Sequence, residues 1–348
     1  MAKEAAPALG NVIAPDPKWA AQTKEAALEP GLPIVDPHHH LWQRSGNDYL
    51  FHELLADTQE GHNVVATVFV DCHSMYRKDG PAELRCTGET EFANGVAAMS
   101  ASGLYGNLRA CAGIVSHVDL RLGAKAGAVF DAQIAAGNGR FKGIRHQTGW
   151  DADPGIRNSR TDPTPELTRD KTWREGFREL DKRKLTFDAW LYHPQLAEIA
   201  ELADAFPGTT IILNHVGGPL GYAGYASRHD EARAAWKKSM VELAKRRNIV
   251  VKVGGLGMAM GWFDFYQRPK PPGSQELAES FRPWVDICIE LFGTDRCMFE
   301  SNFPVDKITS GYGVLWNAFK RLAAGCSAAE KTALFSGTAA RVYKLALA

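Results

Sequence analysis

Short apolar runs rich in β-branched residues recur along the chain at 33–41, 63–72, 107–115, 140–147, 185–193, 209–217, 248–256 and 296–304. Each is followed by a stretch with helical periodicity, at 89–102, 124–136, 172–184, 194–206, 229–247, 275–292, 312–324 and finally 327–346. The first connection, 43–62, carries the weakest helical signal. Strand–helix alternation implies right-handed crossovers and a parallel sheet. Eight such units favour an α/β fold closed as a (β/α)8 TIM barrel over an open doubly wound sheet. Residues 1–30, rich in Ala and Pro with no clean period, read as an N-terminal arm lying over the barrel domain of residues 31–348. No solenoid repeat or low-complexity linker divides the chain.

In such a barrel the chemistry comes from the C-terminal ends of the strands and the loops that follow. The polar residues collect there: Asp36, His38 and His40 end the first run, Asp71 and His73 the second, Arg145 and His146 the fourth. Tyr192 and His193 end the fifth, Asn214 and His215 the sixth, and Glu300, Asn302 and Asp306 the eighth. Strand alternation sorts "DPHHH" into Asp36, His38 and His40 on one face, with His39 turned toward the helices. An alternating H-x-H aims two imidazoles at one point, and imidazole is a common ligand for zinc, manganese and related ions. Asp36, deeper in the strand, is placed to bind metal or to hold a histidine tautomer, the second role being favoured. His215 precedes a Gly-Gly turn that admits close backbone approach, and Glu300 and Asn302 share a face by the same alternation. Arg145 and Arg157 are candidates for a substrate carboxylate, Arg157 reading more readily as a solvated loop residue.

Other signals are weaker. "VVKVGGLGMAMG" lacks dinucleotide-loop spacing and opens no helix, which argues against a nucleotide site. The loop carrying Trp262, Phe263, Phe265 and Tyr266 is either an aromatic wall over the barrel mouth or a packed surface loop. There is no G-x-S-x-G elbow, and Cys72 and His73, adjacent in a strand, face opposite ways.

Charge narrows the partners. Lys+Arg and Asp+Glu balance at 40 each, so no global attraction to nucleic acid or anionic lipid is expected. No run is long enough to span a bilayer, the N-terminus lacks a secretory signal, and six scattered cysteines form no C-x-x-C pair. These features point to a cytoplasmic enzyme acting on a small molecule.

Four motifs, "LPIVDPHHHLW", "FKGIRH", "ILNHVGGP" and "TDRCMFESNFPVD", together resemble the amidohydrolase-related branch of the amidohydrolase superfamily over nearly the whole chain from about residue 30. The resemblance implies a lactonase-like hydrolase, with decarboxylases among more distant relatives. It matches His38 and His40 to the family's H-x-H, His215 to the sixth-strand histidine, and Arg145 to an arginine that contacts substrate carboxylate in lactone-hydrolysing relatives. Where many relatives carry S-D-W-P, this chain has "SNFP", placing Asn302 at the aspartate position. An amide cannot accept a proton at neutral pH, and loss of a negative ligand weakens metal binding.

Two schemes follow. With one divalent Zn or Mn ion, His38, His40 and His215 supply three nitrogens, and the general base is sought among Glu300, Asp306 and Asp36 in that order. Without metal, the histidines act as acid and base and Arg145 orients the substrate, with His146, Tyr192 and His193 as further substrate contacts. The expected reaction is opening of a carboxylated lactone or related cyclic ester. The alternative is a lyase or isomerase acting on a carboxylated substrate. The N-terminal arm is available to cross to a second copy in a homo-oligomer.

Overall fold

The computed structural model describes residues 12–346. Eight parallel strands follow one another around a barrel: β1 (Pro33–His39), β2 (Asn63–Val70), β3 (Arg109–Ser116), β4 (Phe141–Ile144), β5 (Thr186–Ala189), β6 (Ile211–Leu213), β7 (Ile249–Lys252) and β8 (Cys297–Met298). Each is hydrogen-bonded to the next. The ring closes through the segment after β8, where the Asn302 N–H donates to His38 O (2.9 Å) and the His40 N–H to Phe303 O (2.8 Å). The eighth strand is much shorter than the run 296–304: from Phe299, whose N–H goes to Leu334 O, the chain leaves the ladder, and the backbone turns left-handed at Asn302, with φ 53°.

Alternation places Val35, Ala66, Val68, Val70, Val115, Ile212, Val250 and Met298 inside the barrel, floored by Ala339, Val342 and Tyr343 of the C-terminal segment. The opposite faces carry Ile34, Phe69, Ile114, Phe187 and Leu213 to the helices. Helix Lys171–Lys182 shows how the outer layer forms. Asp170 caps its N-terminus by accepting from Trp173 N, and Trp173, Phe177 and Leu180 line one side at i, i+4 and i+7. Each of these fully buried side chains contributes roughly 1.5–3 kcal/mol of transfer free energy. The expected helix 327–346 is broken. It consists of Ala328–Thr332, a wider turn Ala333–Gly337 and Thr338–Val342, and Leu334 O in the turn accepts from Phe299 N (3.0 Å).

Strict alternation fails in β1. Asp36 pairs with Thr67 and His39 with Phe69, so three residues of β1 span two of β2. This bulge resets the phase, and Asp36 lies on the outer face with Ile34 rather than with His38 and His40. There it accepts from Tyr312 Oη (3.0 Å) and Ser301 N (3.0 Å). Asp36 therefore binds neither a metal nor a histidine side chain, and it is no candidate base. Its carboxylate pins β1 to the closing segment and to helix Tyr312–Leu322.

Residues 1–11 of the expected arm lie outside the described residues. From residue 12 the segment runs along the body: Trp19 Nε1 donates to Arg268 O (2.8 Å), Glu25 accepts from Ser274 N (2.7 Å), and Asn317 and Lys320 bind the backbone of 26–29. Among the described residues no helix is long and apolar enough to cross a membrane.

Candidate active site

The strand ends converge on a pocket lined by His40, Arg145, Trp190, Tyr192, His215 and Asn302, with Arg44, Arg157 and Arg160 toward its rim. His40 donates Nδ1–H to Val70 O (2.8 Å) and stacks on Trp42, which leaves Nε2 as the lone-pair nitrogen. His215 is fixed the same way, with Nδ1 2.7 Å from Glu300 Oε1 and its ring edge-on to Trp190. The backbone at His215 is left-handed (φ 52°), and its N–H also reaches Glu300 Oε1 (3.2 Å).

His38 and Glu300 sit beneath this layer, both fully buried. Glu300 Oε2 lies 2.8 Å from His38 Nδ1 yet has no hydrogen-bond partner, because the approach is off the line of an N–H bond. Two basic side chains flank the same ring: Lys252 Nζ is 3.2 Å from Nδ1, and Arg145 Nη1 is 3.3 Å from Nε2. Arg145 is held by Asp71, its Nε donating to Oδ1 at 2.6 Å. Lys252 pairs with Asp188 at 2.6 Å inside the barrel, and Asp188 also accepts from Tyr343 Oη (2.9 Å) and Asn214 Nδ2 (3.0 Å).

Electrostatics follow from burial and these cations. His38, His40 and His215 are held well below the ordinary histidine value by desolvation, with Lys252 or Arg145 adding to it, so all three are neutral at pH 7. Burial pushes Glu300 up to about 8 against the pull of Lys252. Burial also pushes Asp306 up to about 8.

One ligand atom each from His38, His215 and Glu300 falls within a 4.8 Å group. Two imidazoles and a carboxylate with an unpartnered, buried oxygen suit a zinc-like ion. Glu300, rather than the expected His40, completes that set. Asn302 donates its amide to Asp306 Oδ1 (2.7 Å), and its own Oδ1 is buried without a partner.

The structure thus gathers His38, His40, His215, Glu300, Asn302, Arg145 and Tyr192. It separates others from them. His146, the neighbour of Arg145 in sequence, faces the opposite way, with Nδ1 accepting from Leu120 N (3.1 Å) and its ring beside Trp173. His193 accepts from Leu220 N (3.2 Å) and packs on Tyr225. Neither lines the pocket. Asp306 stands behind Asn302, its second oxygen taken by Gly257 N (2.8 Å), and it buttresses the amide instead of serving as base. The aromatic wall is also absent: Met258, Ala259 and Met260 line the pocket, whereas Trp262 packs on Trp284 and Phe263 on Phe281. Arg157, read as a solvated loop residue, lines the pocket.

Sequence reasoning missed Lys252 and Asp188. Their signal was available, since "VVKV" and "TFDA" each place one charge in an otherwise apolar strand, and the charges are opposite. It also missed Arg44 and Arg160, which sit in loops whose path no periodicity reveals.

Comparison with known proteins bears on the family and the fold. The sequence profile of the amidohydrolase family matches residues 35–345. The chain is 34% identical over 341 residues to the uncharacterized protein y4mH of Sinorhizobium fredii, covering 90% of this chain and 99% of that one. It is 28% identical over 207 residues to an L-fucono-1,5-lactonase of Burkholderia multivorans, covering 59% of this chain and 64% of the lactonase. The crystal structure of an amidohydrolase from Burkholderia multivorans with bound zinc superimposes with a TM-score of 0.69 at 24% identity, covering 90% and 99% of the two chains.

Proposed function

The chain belongs to the amidohydrolase family and is a hydrolase, and from that footing we propose that it opens a lactone or related cyclic ester bearing a carboxylate. The observation that carries this reading is His215 fixed on Glu300 at the wall of a pocket that four arginines also line.

Glu300 orients His215 so that its neutral Nε2 is available to take a proton from attacking water. The proton that His215 takes from water is the one it returns to the departing ring oxygen, while His40, equally neutral and locked by Val70 O, offers its Nε2 lone pair as a hydrogen-bond acceptor to the attacking water. Arg145, immobilised by Asp71, supplies fixed positive charge for the developing oxyanion. Asn302 presents an unpartnered amide oxygen that accepts a hydrogen bond from water or a substrate hydroxyl and takes no proton. Arg44 and Arg160 both donate to Cys72 O, at 3.1 and 3.2 Å, and with Arg157 they make the rim cationic. A rim of this kind selects a carboxylated substrate. His38, His215 and Glu300 would hold a divalent ion, which would supply Lewis acidity to the ester carbonyl or acidify a water; the proton transfers given to His215 belong to the ion-free site, where its ring is not a ligand. A structural relative carries zinc.

The test is a panel of carboxylated and neutral lactones followed by product mass. Hydrolysis adds one water, whereas the lyase alternative loses carbon dioxide and isomerisation leaves the mass unchanged. Glu300→Gln and His215→Ala are expected to lower kcat by about 100-fold or more, the scale of general acid–base catalysis. Retention of full activity in both variants overturns the assignment.

A further inference from the structure

A second group of metal-ligating side chains lies where β2 and β3 end. Asp71 is fully buried, and its two oxygens have different surroundings. Oδ1 receives Arg145 Nε, whereas Oδ2 has no hydrogen-bond partner. His73 Nε2, also unpartnered, lies 3.6 Å from that oxygen. His117 donates Nδ1–H to Arg145 O at 3.2 Å, so its lone pair is on Nε2. The rings of His73 and His117 are 5.3 Å apart, and one ligand atom from each of the three residues falls within a 4.8 Å group. Buried lone pairs facing one another without a donor are costly, and a cation between them removes that cost.

We propose that Asp71, His73 and His117 form a second divalent transition-metal site, separate from the His38–His215–Glu300 group. Two imidazoles and one carboxylate oxygen select zinc or cobalt(II) chemistry over magnesium or calcium, which prefer oxygen ligands. The bond from His117 to a backbone carbonyl is the outer contact that fixes a ligating histidine's tautomer. The His73 side chain, 24% exposed, gives the ion a way in. An ion here ties the loop after β2 to the loop after β3 and leaves Asp71 Oδ1 on Arg145. Its role is to hold the residue that grips a substrate-binding arginine.

Cobalt(II) titration of the metal-stripped full chain tests this, read by equilibrium dialysis and visible absorption. The parent is the Glu300→Gln, His215→Ala variant, in which the active-site group is dismantled, so the result is independent of the proposed reaction. It is expected to bind one cobalt(II) per chain. Adding His73→Gln or His117→Ala is expected to weaken binding by more than about 100-fold, beyond what an outer-sphere change produces. Circular dichroism verifies folding, and His73→Gln, at a half-buried loop position, serves if His117→Ala unfolds. No cobalt bound to the parent, or equal affinity after His73→Gln, overturns the site.

Discussion

At Gly255 the backbone has φ 66°, and a β-carbon built there would lie 2.2 Å from Nδ1 of His215. A side chain at this position pushes the imidazole off Glu300 and strains a left-handed backbone as well. Gly255→Ala is therefore expected to lower kcat/KM by about 100-fold, the scale of a misplaced catalytic group, with the far-ultraviolet spectrum unchanged. Steady-state kinetics beside circular dichroism check this. The glycines of "VVKVGGLG" were legible in the sequence as a failed nucleotide loop, but not as clearance for a histidine from a neighbouring strand. That purpose exists only once β6 and β7 are side by side. Glu300 gives a second prediction at this scale. Its value near 8 is raised, so the carboxylate that orients His215 forms as pH increases through that point. The kcat/KM profile is expected to rise with pH on an acid limb near 8, and Glu300→Gln is expected to abolish that limb along with most of the rate.

Strands were the most readable elements, since each of the eight apolar runs overlaps an observed strand, with β3 extending one residue past its run. What alternation could not supply was the bulge that turns Asp36 outward, because a phase slip is set by pairing with β2 and not by the run itself. The same limit explains His146 and His193. Both adjoin pocket residues in sequence but lie beyond the ends of β4 and β5, His193 opening the helical turn His193–Gln195, so no strand period fixes their direction. Between β5 and β7 the Lys252–Asp188 pair spans the interior, both side chains fully buried. Removing one partner leaves a desolvated charge, so Lys252→Met is expected to cost about 3–5 kcal/mol in urea denaturation. The double variant Lys252→Met, Asp188→Asn is expected to recover a large part of that loss. A single-variant cost below about 1 kcal/mol would show that the pair is not a closed interaction.

For the molecule as a whole, the barrel was legible because its period repeats eight times. The pocket's cationic rim was not, because Arg44, Arg157 and Arg160 come from loops that only the closed barrel brings together. Burial of titratable groups also gives the fold a pH signature. Buried His39, His62 and His193 and half-buried His73 are lowered to between about 3 and about 4, so their contribution is lost as pH falls below the unfolded histidine value. Glu300 and Asp306, raised to about 8, bind protons more tightly when folded, and their contribution is lost as pH rises toward that value. Above about pH 6.5 the histidines no longer respond, and up to about pH 8, where Lys320 begins to act in the opposite sense, the raised carboxyls, Glu89 among them, set the slope. Tm is therefore expected to fall between about pH 6.5 and 8, and less steeply in Glu300→Gln, Asp306→Asn, as scanning calorimetry can check.

The central claim is that water, activated at His215 and Glu300, opens a carboxylated lactone. Its most direct test is turnover of such a lactone in heavy-oxygen water, with the product analysed by mass spectrometry. The account predicts an open-chain hydroxy acid that has gained one water and carries the heavy oxygen in its new carboxylate. A turned-over product that has lost carbon dioxide, or has the mass of the starting compound, would contradict it.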